Sequence, residues 1–329
     1  MDDVARSVAL SALITPVLRG GMDTAPAHGF KAHQAGTGKS YLQDLAAAIC
    51  IGDLCPVMSI GKNDEESEKR LGAALVTGQP IISFDNVNGH IGFDLLCQAI
   101  DRPIVEVRIL GTSTKVRVPN RAVIFLNGNN MKVTGDMCRR VIVSTLDAKV
   151  ERPELREFRE KPLAAIQAGR GRFVAAALTI ARAYIMAGRP GLLKPVQSFD
   201  DWSDMVRSAL VWLGKADPAE AMKLNFQDDP ERQEHAEFMQ AMADNLGVGV
   251  ERSYPVADIM TYGTHGWIDS ANNQYPMQTL RRVMARWVKG GPLPFAKWLS
   301  KKEGVNVDNM IIRNVQDKRN GHQWFIEKI

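Results

Sequence analysis

Cysteine is scarce: Cys50, Cys55, Cys97 and Cys138 are the only four in 329 residues. Their spacing fits neither a zinc-ligand set nor a secreted disulfide framework, so the simplest account is four reduced thiols in a cytoplasmic protein. Long apolar runs are missing as well. The longest, such as Val174 to Ile180, are broken by arginine within a few residues, which excludes a helical membrane span. Met1 is followed by Asp2-Asp3 instead of a basic segment, so no secretory signal is expected. The six histidines are scattered without metal-ligand spacing such as HExxH, and no Ser/His/Asp grouping stands out. A zinc peptidase or a nucleophilic hydrolase therefore has no support. No internal repeat or low-complexity segment is evident.

What remains is an ordinary globular composition, 45% hydrophobic and 24% charged, with a length that suggests two domains or three. The net charge of +4 is unevenly spread. Residues 281–329 hold eleven Lys/Arg against four Asp/Glu, so that stretch carries +7 and the rest of the chain −3. A solvated basic face and a nucleic-acid footprint both fit, and a compact basic stretch at the end of the chain favours the second.

The stretch that organises the chain is His33-Gln34-Ala35-Gly36-Thr37-Gly38-Lys39-Ser40. Phe30 to Ala32 read as the end of a strand, and Tyr41 to Ile51 have helical periodicity. A Gly-rich turn between strand and helix points several backbone N–H groups at one spot, where the helix dipole also favours an anion. This is a Walker A phosphate loop. Residues Gln34 to Tyr41 would wrap the phosphates, Lys39 would reach the β- and γ-phosphates, and the Ser40 hydroxyl would ligate Mg²⁺. His33 is a departure, since the pattern has Gly there to supply an unusual backbone conformation.

Elsewhere the chain alternates. Val4 to Leu18 reads as an amphipathic helix ended by Gly20-Gly21. Pro56 to Ile60 is a short strand, Asp64 to Val76 a helix with an acidic first turn, Pro80 to Asp85 an apolar strand, and Ile91 to Ile100 a further helix. Ile104 to Leu110 and Lys115 to Val118 form a hairpin turning through Gly111-Thr112-Ser113. Arg121 to Leu126 is a buried strand, Gly135 to Arg140 a helical turn, and Val141 to Leu146 a last strand. This predicts an α/β core with a mostly parallel five-stranded sheet covered on both faces. Beyond Glu151 the pattern turns helical, over Leu163–Ala187, Phe199–Gly214, Pro218–Phe226 and Pro230–Leu246. A helix pair, Gln278–Lys289 and Phe295–Lys302, precedes two strands, Asn309–Val315 and Gln323–Ile329, around a basic tip. Helices followed by such a ribbon suggest a winged helix. The expected organisation is an N-terminal helix (1–19), an ATPase core (20–150), a helical lid and linker (151–275) and a winged-helix DNA-binding domain (276–329).

Several side chains stand where nucleotide chemistry needs them. Asp85 closes an apolar strand downstream of the lysine, as a Walker B carboxylate would, to hold Mg²⁺ opposite Ser40. An Asp capping a turn before Asn86-Val87-Asn88-Gly89 is the plainer alternative. Asn86 follows where a hydrolytic Glu is usual; it can orient a water but not take its proton. Asn127 and Asn129, at the end of the next strand, would sit beside the γ-phosphate, although Asn-Gly also favours turns by itself. Arg139 or Arg140 would act on a neighbouring subunit's γ-phosphate as an arginine finger, or make a surface ion pair. Arg170 or Arg172 would be a lid arginine, or simply mark a helix start.

Walker A, Walker B, a hairpin, an asparagine after a strand and a paired arginine, in this order, resemble the AAA+ ATPases. The run Asn129 to Val143 (NNMKVTGDMCRRVIV) is similar to the asparagine-to-arginine segment of superfamily III-type viral and phage helicases. Residues 151–218 (ERPELREF, AAALTIARAYIMAGRP, SFDDWSDMVRSALVWLGKADP) resemble the C-terminal half of prophage and mobile-element primase/helicase proteins. Asp85-Asn86-Val87-Asn88-Gly89 is similar to that family's form of Walker B. The resemblance covers most of the chain, strongest from 34 to 218. It implies an ATP- and Mg²⁺-dependent DNA helicase or translocase in phage or mobile-element replication, assembled as a homo-oligomeric ring, a hexamer, on single-stranded or forked DNA. It further implies that the hairpin grips DNA through Lys115, with Arg117 and Arg108 along its arms. Arg313, Lys318 and Arg319, in and beside the basic ribbon tip, are the candidate DNA contacts of the winged helix. Family members often carry a primase module upstream, and none is visible here. A DNA-bound nucleotide switch or helicase loader with little hydrolysis is the alternative, favoured by Asn86.

Overall fold

The computed structural model describes residues 1–109, 114–156, 158, 160–268, 274–275, 277–317 and 321–329. They form two compact units, Met1–Asp229 and Pro230–Ile329.

The first unit opens with α1 (Asp3–Leu18), whose N-terminus is fixed by the Asp2 carboxylate accepting from the Ala5 N–H at 2.7 Å. Next come β1 (Ala27–Ala32), α2 (Lys39–Cys50), β2 (Val57–Ser59), α3 (Asp64–Val76) and β3 (Ile81–Asp85). In α3 the Asn63 side chain accepts from the Glu66 N–H while the Glu66 carboxylate accepts from the Lys62 N–H, both at 2.9 Å. Three acidic residues fill its first turn, which suits the positive end of the helix dipole. The chain continues through β4 (Gly89–His90), α4 (Asp94–Asp101), the hairpin β5 (Ile104–Arg108) and β6 (Lys115–Pro119), β7 (Val123–Gly128), β8 (Met131–Lys132), a 3₁₀ turn (Gly135–Arg139) and β9 (Val141–Leu146).

Five of these strands make one parallel sheet in the order β2-β3-β7-β1-β9. Its central strands are apolar on both faces because helices cover both. Every residue of β7 is buried, as are five of the six in β1. Phe30, Phe84, Phe125 and Leu126 are fully enclosed. Since the strands are parallel, the loops leaving β1, β3, β7 and β9 all emerge at one edge, where sheets of this kind place their ligands.

Helices then follow: α5 (Pro162–Met186), kinked at Gly169, a helical run over Asp200–Trp212, and α8 (Glu220–Gln227). The middle run consists of α6 (Asp200–Trp202), a π turn over Ser203–Ser208, and α7 (Ala209–Trp212). The spacing predicts one regular helix here. The π turn forms where the Ser208 hydroxyl donates to the Ser203 carbonyl at 2.7 Å and competes with the helical ladder.

The second unit begins with α9 (Pro230–Leu246) and proceeds through β10 (Tyr254–Pro255), α10 (Val256–His265), a short pair β11 (Trp267–Ile268) and β12 (Gln274–Tyr275), α11 (Gln278–Val288), α12 (Pro292–Lys302), β13 (Asn306–Val307), β14 (Met310–Asp317) and β15 (Gly321–Lys328). The two-stranded ribbon expected from the sequence is part of a four-stranded antiparallel sheet, β10-β15-β14-β13. The added strands are two residues long, too short to show alternation. Phe238, Leu280, Met284, Phe295, Leu299 and Ile312 are at the centre of this unit's own core.

Candidate nucleotide site

The loop from His33 to Gly38 joins β1 to α2. Gly36 (φ 71°) and Gly38 (φ 104°) take the left-handed backbone that explains glycine at both positions. His33 is not among the described residues with positive φ. The expectation that its position needs glycine is therefore corrected: an ordinary backbone serves there. The Thr37 hydroxyl donates to the Gln34 carbonyl and closes the loop on itself. No side chain caps the N-terminus of α2, so the first-turn N–H groups remain open to an anion.

The linker after β9 lies against this loop. Arg156 Nη2 donates to the Thr37 carbonyl at 3.0 Å, and a Cβ at Gly36 would come within 3.1 Å of the Glu154 backbone nitrogen. Nothing in the sequence singles out Arg156. Tyr41, grouped with the phosphate-binding residues by position, is partly exposed, and its hydroxyl accepts from the Leu163 N–H at 3.0 Å.

Behind the loop, both asparagines reach Walker A side chains. Lys39 Nζ donates to Asn129 Oδ1 at 2.6 Å, and Asn127 Nδ2 donates to Ser40 Oγ at 2.9 Å. Asn127 is buried, its amide also meets Gln43 Oε1 at 3.3 Å, and Gln43 Nε2 donates on to Ser83 Oγ at 3.0 Å. A buried polar chain thus ties α2 to β7 and β3. Gln43 was legible in principle, as one uncharged polar residue on the apolar face of α2.

Asp85 ends β3, one residue beyond the Phe84–Leu126 register pair, which sets it level with Asn127 on β7. Burial draws the Lys39 ammonium below its usual pKa, and the charge of Asp85 offsets this only in part. A hydroxyl (Ser40) and a carboxylate (Asp85) on neighbouring elements are hard oxygen donors of the kind Mg²⁺ takes when phosphates complete its shell. Among the described residues no cluster of three or more His, Cys, Asp or Glu offers a site complete without them. Asn86 is exposed and left-handed (φ 54°), a conformation Asn tolerates better than Glu. Gly128 is required by crowding: a Cβ there would lie 2.1 Å from the Val87 carbonyl oxygen.

The paired arginines part company. Arg140 is buried, with Nη2 2.6 Å from Asp101 Oδ2 and Nη1 donating to the Asp136 carbonyl at 2.8 Å. Burial works against its charge, but the Asp136 and Asp101 carboxylates outweigh that and raise its pKa. Arg139 is half-exposed and bonds to Asp136 at 2.5 Å. The turn carrying it is held where Asp229 accepts from the Gly135 N–H at 2.9 Å. Arg170 donates to the Ile49 and Cys50 carbonyls at 2.9 and 2.6 Å. It caps the C-terminus of α2, a 12-residue helix, about 18 Å from the phosphate loop, so a lid role at the nucleotide is corrected for Arg170. Arg172 is exposed.

On the hairpin, Val105 and Val107 are buried, while the Arg108–Lys115 and Glu106–Arg117 pairs occupy the other face. Two cations opposite one another weaken a hairpin. The hairpin turn, 110–113, lies outside the described residues. So do Lys318 and Arg319, whereas Arg313 pairs with Glu327 at 2.8 Å.

No protein-family model matches the chain, and no curated protein matches it. Among solved structures it is similar to the apo C-terminal region of NrS-1, at 12% identity and TM-score 0.42 over 99% of this chain and 75% of that one. It is also similar to the active helicase Cch of SCCmec type IV, at 13% identity and TM-score 0.38 over 98% of this chain and 66% of that one. JCV helicase matches at 12% identity and TM-score 0.28 over 74% of this chain and 66% of that one. Likeness at this level adds no weight of its own. The first unit has an α/β P-loop core, by its strand order and the loop between β1 and α2.

Proposed function

We propose that the chain is a Mg²⁺-dependent ATPase that works on DNA as a helicase or translocase. One observation carries the reading: Lys39, Ser40, Asp85, Asn127 and Asn129 converge at one edge of the parallel sheet, around a helix N-terminus left uncapped. In this reading the amides from Gly36 to Ser40 hold the phosphates, and Lys39 neutralises the γ-phosphate. Asn129, released from Lys39, orients the attacking water. Ser40 and Asp85 would hold Mg²⁺, which would supply charge neutralisation for the phosphates. Arg139 is the trans-acting finger, and Arg140 holds its turn in place.

The DNA contacts in this reading are Lys115, Arg117 and Arg108 on the hairpin, with the second unit, basic over residues 281–329, as a winged helix. Helices between a first strand and two long later ones, with that first strand paired to the last, support the winged-helix assignment. The helices of 162–227 form a lid, and ring assembly, phage or mobile-element replication and an associated primase activity complete the proposal. ATP turnover measured with and without single-stranded DNA tests it; stimulation by DNA is the expected result, and turnover indifferent to DNA opposes a motor.

The switch or loader is kept as a second reading because of Asn86. Its left-handed backbone gives a structural reason for Asn, and it leaves the site without a carboxylate base next to Asp85. Tight ATP binding without turnover would select that reading.

A further inference from the structure

We infer that Gln43 is a positioning residue for the candidate metal ligand Ser40 and acts on it through Asn127. The inference rests on the phosphate-loop reading and adds to it the means by which the Ser40 hydroxyl is aimed. Gln43 lies three residues after Ser40 on α2, hence on the same side of the helix. It is fully buried, on a helix whose other buried residues are Leu45, Ala46, Ala47, Ala48 and Ile49. A methionine would fill the same space without stripping an amide of water, so the polar group needs a reason beyond packing.

The hydrogen bonds around Gln43 run in one direction. The Cys55 thiol donates to the Pro56 carbonyl, with Sγ 3.8 Å away, and its sulfur accepts from the Ser83 hydroxyl. Ser83 Oγ, its own hydrogen used, accepts from Gln43 Nε2 at 3.0 Å. That turns Gln43 Oε1 toward Asn127, whose Nδ2 donates to it at 3.3 Å and to Ser40 Oγ at 2.9 Å. Both hydrogens of the Asn127 amide nitrogen are then committed. Asn127 has no N–H left for the γ-phosphate, and contact of that kind falls to Asn129. Ser40 is held to one of its staggered rotamers with Oγ as the acceptor. One lone pair is left for a cation, and the hydroxyl hydrogen for an anionic oxygen. With an apolar side chain in place of Gln43, the Asn127 amide is free to turn over, present Oδ1 to Ser40 and take that hydrogen.

Calorimetric titration of ATP into the full chain, once with Mg²⁺ and once with EDTA, tests this, because the ratio of the two affinities measures the metal's contribution. Gln43→Met should leave the affinity in EDTA unchanged and reduce that ratio by about 10-fold or more, as outer-shell substitutions do at metal sites. Ser83→Ala, a smaller change that removes the anchor of the Gln43 amide, should reduce it in the same direction and serves if Gln43→Met does not fold. In a Ser40→Ala background, Gln43→Met should change the ratio no further. An unchanged ratio in folded Gln43→Met or in Ser83→Ala overturns the inference. So does equal weakening with and without Mg²⁺, which would make Gln43 a prop for the whole loop, or a further loss in the Ser40→Ala background. If the native chain binds no ATP in either buffer, the phosphate-loop reading fails and this role with it. If it binds ATP and Mg²⁺ makes no difference, the loop stands and the role of Gln43 is overturned.

Discussion

Arg139 and Arg140 are adjacent in sequence and share Asp101 and Asp136 as partners, but Arg140 is buried and Arg139 half-exposed. Removing the buried Arg140 side chain leaves Asp101 without its main partner, a loss of about 3–5 kcal/mol for a buried pair. Arg140→Ala should therefore lower the thermal midpoint. Arg139→Ala should leave the midpoint and ATP binding unchanged and cut turnover by about 10³-fold or more. Parallel melting and ATPase assays separate the two, and a destabilised Arg139→Ala with normal turnover would reverse the assignment.

His28 carries a pH prediction at the same scale. It is fully buried in β1 with Nε2 3.0 Å from Ser11 Oγ, and burial pushes its pKa down to about 3. The unfolded chain takes up a proton near pH 6.5 that the folded chain refuses until about pH 3. The unfolded state thus binds more protons in that window, and stability falls on acidification by up to about 1.4 kcal/mol per pH unit. His28→Gln should flatten the melting temperature between pH 6.5 and 4.5; an unchanged slope would point to other groups.

Elements were legible where chemistry and period agreed. The apolar runs Ile81–Phe84 and Val123–Leu126 read as buried parallel strands, and they are. The acidic first turn of Asp64–Val76 marked the start of α3. What escaped the sequence depends on partners distant along the chain: Arg156 on the Thr37 carbonyl, and the choice between two adjacent arginines, which both reach Asp101 but of which only Arg140 is buried against it. Gly128 shows the same limit. In sequence it is the Gly of an Asn-Gly turn, whereas in the fold it lets the Val87 N–H donate to the Asn127 carbonyl at 2.7 Å, fixing the turn after Asp85 against β7. Gly128→Ala should cost about 2–4 kcal/mol in denaturant melts and reduce ATP turnover beyond that loss by displacing Asp85. Wild-type stability in this variant would contradict the close approach.

At the scale of the molecule, the α/β character and the helical region after residue 151 could be read from periodicity. The division at Asp229/Pro230 could not, because α9 has the same helical spacing as α8 and only its packing onto Leu280, Met284 and Phe295 assigns it to the second unit. The basic charge concentrates in residues 281–329 of that second unit. If the chain works as a ring on DNA, its mass by light scattering should rise by a whole-number multiple when single-stranded DNA and a non-hydrolysable ATP analogue are added together. A monomer under those conditions would remove the trans-acting role of Arg139.

All of these roles require a triphosphate on the loop between β1 and α2. The most direct test is calorimetric titration of Mg²⁺-ATP into the native chain and into Lys39→Ala. Saturable binding by the native protein, abolished in Lys39→Ala without loss of fold, is the predicted result. Equal binding by both proteins, or none by the native chain, would contradict it.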